Sequence, residues 1–229
     1  MTPKLVAIFA HPDDESFSAG GTLARYVDYG VDVTLVTATR GEAGEIRQGI
    51  PPPEDVGQLR EAELRTALSL LGVEHLRLLG LPDGKLDTCE HQLQSELYEL
   101  LGELKPQVVI TEDVRGITGH PDHIEVTKAV VKTFDRVAEV MKLYEHVVPG
   151  GGPTGHLLGT PEDHITTWID VEPWRERMLE GLQAHRSQVP PDTVRRFHDL
   201  PKPLTDHYVC VRTRVPILIP ERDLFAGID

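Results

Sequence analysis

The chain has 229 residues and carries 37 acidic against 23 basic side chains, giving a formal net charge of −14. This length predicts a single domain over residues 1–229, with a core large enough to need neither disulfides nor a structural metal. The acidic balance argues against a general nucleic-acid surface, because phosphate binding depends on clustered Lys and Arg.

Cysteine use and hydropathy indicate the cellular compartment. Cys89 and Cys210 have no metal-binding spacing and are predicted to be ordinary thiols of a cytoplasmic protein. No segment reaches the roughly 20 apolar residues that a membrane-spanning helix needs. The first apolar run is too short for a signal peptide and leads into a charged turn. We therefore predict a cytoplasmic protein without a membrane partner; the oligomeric state stays open, and a homo-oligomer is allowed.

Predicted strands and helices alternate along most of the chain. Short β-branched or apolar runs alternate with segments whose apolar residues recur at helical spacing, several of them ending at glycine, as at Gly30 and Gly72. This alternation predicts an α/β fold, Rossmann-like, with a mostly parallel sheet and helices on both faces. Strands are predicted over 5–9, 31–38, 74–79, 108–110, 143–148, 164–171 and 208–212, and helices over 16–29, 59–71, 92–104, 121–139 and 173–185.

Two glycine-containing segments need separate interpretation. Gly20 and Gly21 lie inside the first predicted helix without a G-x-G-x-x-G pattern, which favours close helix–sheet packing over phosphate binding. The Gly- and Pro-rich segment 149–161 is predicted to be an exposed loop that could act as a lid.

The first candidate site is the motif Ala10-His11-Pro12-Asp13-Asp14-Glu15, directly after the first predicted strand. Ligands of parallel α/β sheets bind at the carboxyl ends of strands. Crowded carboxylates repel one another, so protons or a cation must neutralise some of them. His11 and Asp14, three residues apart, therefore indicate a catalytic metal site. The alternative is a solvated acidic turn that caps a helix.

A second motif, Gly119-His120-Pro121-Asp122-His123, follows the fourth predicted strand. His120 and His123 are three apart in the first turn of a predicted helix and can face one direction. Two histidines and a carboxylate with an open fourth position are typical of catalytic zinc, whereas Mg²⁺ would favour oxygen ligands. Helix capping by the histidines is the alternative. Spacing alone leaves open which of Asp13 and Asp14 binds the metal.

Further motifs accompany these two. Thr-Arg-Gly-Glu-Ala-Gly follows the second strand, and Leu-Arg-Glu-Ala-Glu leads into Leu-Leu-Gly-Val. Together the motifs resemble those of the PIG-L/LmbE-like zinc-dependent deacetylases. The resemblance spans most of residues 10–123, with a weaker echo in Ala184-His185-Arg186-Ser187-Gln188. It implies that the α/β fold is of the LmbE-like kind.

The resemblance also implies catalytic roles. His11, Asp14 and His123 would bind Zn²⁺, and Fe²⁺ could occupy the same ligands. Asp13 would be the general base, accepting a proton from a water whose pKa zinc lowers to about 7. His120, if protonated, would stabilise the oxyanion.

For substrate binding the resemblance points to two residues. Arg60 would hold the sugar or the aglycone, and Asp83 would lie at the pocket rim. Arg40 is a further candidate, for an anionic substituent, with solvated surface charge as its alternative. Glu15 and His185 receive no committed role; a helix-start carboxylate and a structural histidine are the plain interpretations.

The implied reaction removes the acetyl group from an N-acetylglucosaminyl conjugate of the GlcNAc-malate or GlcNAc-inositol type. Two alternatives stay open. One is an amidase of thiol conjugates on the same fold, which would need a roomier pocket near 149–161. The other is a sugar- or nucleotide-binding module without catalysis, which would have no need of a base beside an open metal site.

Overall fold

The structure is a computed structural model and describes residues 2–150 and 157–228. Its strands form one seven-stranded sheet within these residues. In chain order they are β1 (Lys4–Phe9), β2 (Asp32–Thr37), β3 (His75–Leu78), β4 (Val108–Glu112), β5 (Lys142–His146), β6 (Thr167–Asp170) and β7 (Thr205–Thr213). Their order in the sheet is β3-β2-β1-β4-β5-β7-β6. The first five strands are parallel, whereas β7 runs antiparallel to both β5 and β6.

Helices cover both faces of this sheet. They are α1 (Asp14–Ser18), α2 (Gly20–Asp28), α3 (Val56–Leu71), α4 (Glu90–Leu104), α5 (Pro121–Phe134), α6 (Arg175–Ala184) and α7 (Pro191–His198). None of the described helices is long and apolar enough to cross a membrane.

Buried apolar side chains fill the space between the helices and the sheet. On one face, Leu23 of α2, Leu64 of α3 and Met178 of α6 belong to a single cluster with residues of β1 and β2. On the other face, Leu97 of α4 and Val126 of α5 pack in a second cluster. The predicted α/β fold, with a mostly parallel sheet and helices on both faces, is confirmed.

The observed elements depart from the predicted ones in a few places. The helix predicted over 16–29 is divided into α1 and α2, because Ala19 leaves the helical region at φ −145°. The helix predicted to reach residue 139 ends at Phe134. α7 has no predicted counterpart; it is short and offers mainly Val194 and Phe197 as apolar residues.

The strand order brings the two His-Pro-Asp motifs to neighbouring positions. Ala7 of β1 pairs with Leu35 of β2 on one side and with Ile110 of β4 on the other. The chain therefore proceeds from β1 in one direction and later returns to build the other half of the sheet. Such a reversal of strand order opens a crevice at the carboxyl ends of the two central strands, where ligands bind.

Candidate active site

The loops after β1 and β4 contribute the two halves of the site. His11 and Asp13 lie directly after β1, and Asp14 is the first residue of α1. His123 lies in the first turn of α5. Although 112 residues separate them, His11 Nδ1 and His123 Nε2 are 3.2 Å apart.

Asp14 completes a compact triad with these two histidines. One of its oxygens lies 3.4 Å from His11 Nδ1, and the other lies 3.4 Å from His123 Nε2. Zinc–ligand bonds of about 2.1 Å at tetrahedral angles separate neighbouring ligand atoms by roughly 3.4 Å. The two histidine nitrogens therefore have the spacing of neighbouring ligands around one small divalent cation, and Asp14 approaches each of them through a different oxygen. Three groups of side chains bring one possible ligand atom each within 4.8 Å of the others: His11 with His120 and His123, His11 with Asp83 and Asp122, and Asp14 with Glu112 and His123.

The outward-facing nitrogen of each histidine meets a buried carboxylate. His11 Nε2 lies 3.0 Å from Asp83 Oδ1 and 3.3 Å from Asp122 Oδ2. His123 Nδ1 lies 3.0 Å from Glu112 Oε1, although the N–H is not aligned well enough for a hydrogen bond. Carboxylates in these positions orient histidine ligands and fix the tautomer that leaves the inner nitrogen free for a metal.

The surrounding carboxylates favour positive charge on His11 and His123. Burial alone would lower the pKa of His11, but hydrogen bonds to the neighbouring aspartates raise it to about 12. Burial acts in the same direction on His123, but Asp14 and Glu112 raise its pKa to about 9. The histidines thus bind protons where no cation is present, and a divalent cation would displace those protons. The donor set fits a bound metal ion.

Asp13 lies beside the triad in a strained backbone conformation. Its φ of 107° is in the left-handed region, where a non-glycine residue carries a cost of about 1–3 kcal/mol. Its Oδ1 lies 3.2 Å from Arg60 Nη2. Burial and the neighbouring Asp14 raise the pKa of Asp13 to about 7, while Arg60 and His185 act in the opposite direction. A carboxyl group with such a pKa is suited to accept and return a proton.

His120 occupies the N-cap of α5. Its Nδ1 accepts a hydrogen bond from the backbone N–H of Asp122 at 3.2 Å, so the neutral ring carries its proton on Nε2. Burial lowers the pKa of His120, and the nearby His11 and His123 lower it further. A neutral ring would donate through Nε2–H, and the catalytic role of His120 stays a prediction. The ring centroid lies 4.8 Å from that of His11 and 4.9 Å from that of His123.

Arg60, on α3, contacts the loops that follow β1 and β2. Its guanidinium donates to the carbonyl oxygen of Gly41 at 3.0 Å and to that of Pro12, and the residue is only 5% exposed. A Cβ on Gly41 would lie 2.2 Å from Arg60 Nη1, so this position has no room for a side chain. These contacts hold the loops of the site, and the predicted substrate contact of Arg60 stays a prediction.

Asp83 and Arg40 differ in how far they are exposed. The Asp83 side chain is only 7% exposed, and its second oxygen accepts the Ala43 N–H at 2.8 Å. Its two oxygens thus face His11 and Ala43, and the position of Asp83 at a pocket rim stays a prediction. The Arg40 side chain is 36% exposed, and its Nε lies 3.3 Å from Glu61 Oε2. That placement matches the surface-charge alternative, and a substrate contact of Arg40 stays a prediction.

The predicted lid over 149–161 is only partly covered by the structure, because 151–156 lie outside the described residues. Its far end is fixed by Arg115, which donates to the carbonyl oxygens of Gly159 and Leu158 at 3.0 and 3.2 Å. Arg115 also pairs with Asp113 at 2.7 Å. The described end of the loop is therefore attached to the segment that leads from β4 to His120.

Sequence reasoning missed several residues of the site. Glu112 had a usable signal, since a carboxylate at the end of the buried run Val-Val-Ile-Thr-Glu is a costly placement. Asp122 stands inside a recognised motif, yet its contacts with the N–H groups of Gly84 and Leu86 could not be read from the sequence.

Similarity to known proteins agrees with this geometry. Residues 6–134 match the PIG-L family, described as GlcNAc-PI de-N-acetylase. A 1D-myo-inositol 2-acetamido-2-deoxy-alpha-D-glucopyranoside deacetylase from Acidothermus cellulolyticus is 32% identical, with 100% of this chain and 96% of the relative covered.

Solved structures of lower identity share the fold. The N,N'-diacetylchitobiose deacetylase from Pyrococcus horikoshii has a TM-score of 0.68 at 21% identity, covering 85% of this chain and 74% of that one. GalB, the 4-carboxy-2-hydroxymuconate hydratase from Pseudomonas putida, has a TM-score of 0.74 at 15% identity, covering 95% and 100%. The reactions of these two differ, so the fold alone does not decide the chemistry. The family match does decide the relationship: the chain belongs to the PIG-L family of GlcNAc-PI de-N-acetylases.

Proposed function

We propose that the protein is a zinc-dependent deacetylase that hydrolyses the acetamido group of an N-acetylglucosaminyl conjugate, releasing acetate and a free amine. The observation that carries the proposal is the triad of His11, Asp14 and His123 beside an aspartate, Asp13, that is not part of it. A module that only binds a sugar has no need of a proton acceptor next to a metal site.

The metal would be held by the triad. Imidazole and carboxylate donors suit Zn²⁺ and also Fe²⁺. When bound, zinc would polarise the amide carbonyl and lower the pKa of a coordinated water to about 7.

Asp13 supplies the proton transfers. Its Oδ1 pairs with Arg60, which leaves Oδ2 as the oxygen to accept a proton from the attacking water. Such general-base assistance is worth about 10²–10⁴ in rate. The departing amine must then gain a proton. A neutral His120 is a poor acid for this step, so the protonated Asp13 returns the proton it accepted.

His120 stabilises the negative charge that develops on the carbonyl oxygen. Its Nδ1 is occupied by the Asp122 N–H, so the free donor is Nε2–H. Because the histidine is held at a helix N-terminus, it needs little reorganisation when the oxyanion forms.

The substrate is a small sugar conjugate. GlcNAc-inositol is the first candidate, since relatives with 32% and 34% identity carry the name of a GlcNAc-inositol deacetylase. GlcNAc-malate is the second, and the partly exposed Arg40 could bind its carboxylates. The net charge of −14 disfavours a nucleic-acid partner. The cytoplasmic location stays a prediction.

A free-amine assay over a panel of N-acetylglucosaminyl conjugates tests the function. We expect amine release from GlcNAc-inositol, loss of release after chelation, and recovery on addition of zinc. Larger amides of thiol conjugates belong in the same panel, because faster cleavage of these would favour the amidase alternative. The proposal would be wrong if no member of the panel released amine, or if amine release continued after the metal had been removed.

The adjacent aspartates provide a matched pair of variants. We expect Asp13→Asn to keep near wild-type metal content while kcat falls by about 10²-fold or more. Asp14→Asn should instead lose the metal, because it removes a ligand charge. Metal content by atomic emission and amine release are measured on both variants. Metal loss in Asp13→Asn with retention in Asp14→Asn would mean that the two roles are reversed.

A further inference from the structure

Glu15 and His185 form a buried pair, and Glu15 also accepts the backbone N–H of Asp13. We propose that these two are positioning residues, which hold the backbone of Asp13 in the conformation that aims its carboxylate at the reacting water. The inference rests on the proposed function, in which Asp13 is the proton acceptor.

Both oxygens of Glu15 are occupied. Oε2 accepts the backbone N–H of Asp13 at 3.0 Å. Oε1 accepts from His185 Nε2 at 2.7 Å and from the Ser16 hydroxyl. The side chains of Glu15 and His185 are 0% and 1% exposed. A buried carboxylate with donors on both oxygens cannot rotate without leaving one of those donors unpaired, which is costly away from water.

The peptide unit between Pro12 and Asp13 is held at both of its polar groups. Arg60 donates to its carbonyl oxygen, that of Pro12, and Glu15 accepts its N–H. On the other side of the Cα, the carbonyl oxygen of Asp13 accepts the N–H groups of Ser16 and Phe17 at 3.0 and 3.1 Å. The planes on either side of Asp13 are thus both fixed, and they set its φ at 107°.

These contacts prevent the strained backbone of Asp13 from relaxing. Backbone conformations of this kind persist only where the surroundings over-determine them. Relaxation of φ towards negative values would swing the side chain, and a displacement of about 1 Å can cost roughly 10²-fold in rate. The Glu15–His185 pair therefore affects the turnover rate by fixing the orientation of the Asp13 carboxylate.

His185 is itself anchored to the helix that carries Arg60. Ser187, in the turn after His185, donates its N–H and its hydroxyl to Glu63 at 2.8 and 2.6 Å. Glu63 and Arg60 lie three residues apart on α3, so one helix supports both sides of the Pro12–Asp13 peptide. The first motif, α3 and the segment 185–187 therefore meet around Asp13.

A simpler role for Glu15 is helix capping. Its side chain returns to the N–H of the N-cap residue of α1, much as the glutamate of a capping box does. Capping predicts a loss of stability with normal turnover by each folded, metal-loaded molecule. Positioning predicts a loss of turnover at unchanged metal content and unchanged KM.

The test compares His185→Gln, which can still donate to Glu15, with His185→Leu, which cannot. We expect His185→Leu to lower kcat by about 10²-fold with KM and zinc content unchanged, and His185→Gln to recover most of that loss. Glu15→Leu should resemble His185→Leu, because it removes the acceptor of the Asp13 N–H. Glu221→Gln is the matched control, a buried carboxylate away from the site, and should lower the melting temperature without lowering kcat.

Crystal structures of the wild-type and His185→Leu proteins give a readout that needs no substrate. We expect φ of Asp13 to leave the left-handed region in the variant. Unchanged kcat in His185→Leu and Glu15→Leu, or a positive φ retained in His185→Leu, would overturn the positioning role. If the wild-type protein releases no amine, the proposed function fails on its own, and the crystal structures alone decide whether the pair holds Asp13. Should His185→Leu not fold, Glu15→Leu serves in its place for both measurements.

Discussion

At the scale of single residues, Glu112 illustrates how a predicted metal ligand, His123, is supported. It is 1% exposed at the end of β4, and its Oε1 lies 3.0 Å from His123 Nδ1. Burial raises the pKa of Glu112 to about 8, and the neighbouring Asp14 adds to this, while His123 acts in the opposite direction. Both oxygens of Glu112 are buried without a hydrogen bond among the described residues, and the nearby His123 is the main group that favours the ionised form.

Replacing this carboxylate should weaken metal binding. We expect Glu112→Gln to lower zinc affinity by about 10–100-fold, because His123 loses the negative partner that makes its inner nitrogen a stronger donor. Competition with a chromophoric chelator measures the affinity. Glu145→Gln is the control, since Glu145 is also buried, on the neighbouring strand, but accepts the Val114 N–H and does not pair with His11, Asp14 or His123. Equal affinities for the two variants would contradict the supporting role.

At the scale of elements, the glycines of α2 let that helix approach its neighbours. A Cβ on Gly21 would lie 2.6 Å from Val171 Cβ, and one on Gly20 would lie 3.2 Å from Met178 Cγ. Close packing is confirmed, but its partners are Val171, which follows β6, and Met178 of α6, whereas packing against the sheet was expected. Since α2 follows α1 after the single residue Ala19, its position also limits where the first motif can lie.

A methyl group at Gly21 should therefore destabilise the protein. We expect Gly21→Ala to lower the free energy of unfolding by about 1–3 kcal/mol through overpacking against Val171. Gly102→Ala in α4 is the matched control. A Cβ there meets nothing within 4 Å, so this change should stabilise by about 0.4–1 kcal/mol. Urea unfolding measures both variants, and a neutral or stabilising Gly21→Ala would refute the packing argument.

At the scale of the whole molecule, a buried ion pair joins the C-terminal segment to the sheet. Lys142 of β5 is 0% exposed and pairs with Glu221. The other oxygen of Glu221 accepts from the hydroxyls of Tyr144 at 2.8 Å and Thr167 at 3.2 Å. One side chain near the end of the chain thus contacts both β5 and β6, which β7 separates in the sheet.

Breaking only one half of this pair should cost more than removing both. We expect Glu221→Leu to lower the free energy of unfolding by about 3–5 kcal/mol, because it leaves the Lys142 charge buried and unpaired. The double variant Lys142→Met/Glu221→Leu should recover a large part of that loss. Urea unfolding of the two single variants and the double variant gives the coupling energy. Strictly additive losses would show that the pair is not the cause.

What could be predicted from the sequence is what depends on local pattern. Apolar runs and helical periodicity gave the parallel strands and most of the helices, because burial on a regular element repeats at fixed spacing. The two His-Pro-Asp motifs indicated a metal site for a similar reason, since ligands three residues apart in one turn are set by local geometry. Where local pattern was weak, as in the short helix α7, prediction failed.

The tertiary structure alone decided which distant groups meet. The pairing of β1 with β4 brings His11 and His123 within 3.2 Å, and only then does Asp14 rather than Asp13 lie between the histidines. The contact between Glu15 and His185 spans 170 residues, and no periodicity encodes a partner at that distance. Such contacts depend on how helices pack across the sheet, so the hydrogen bonds that hold the backbone of Asp13 became visible only in the folded chain.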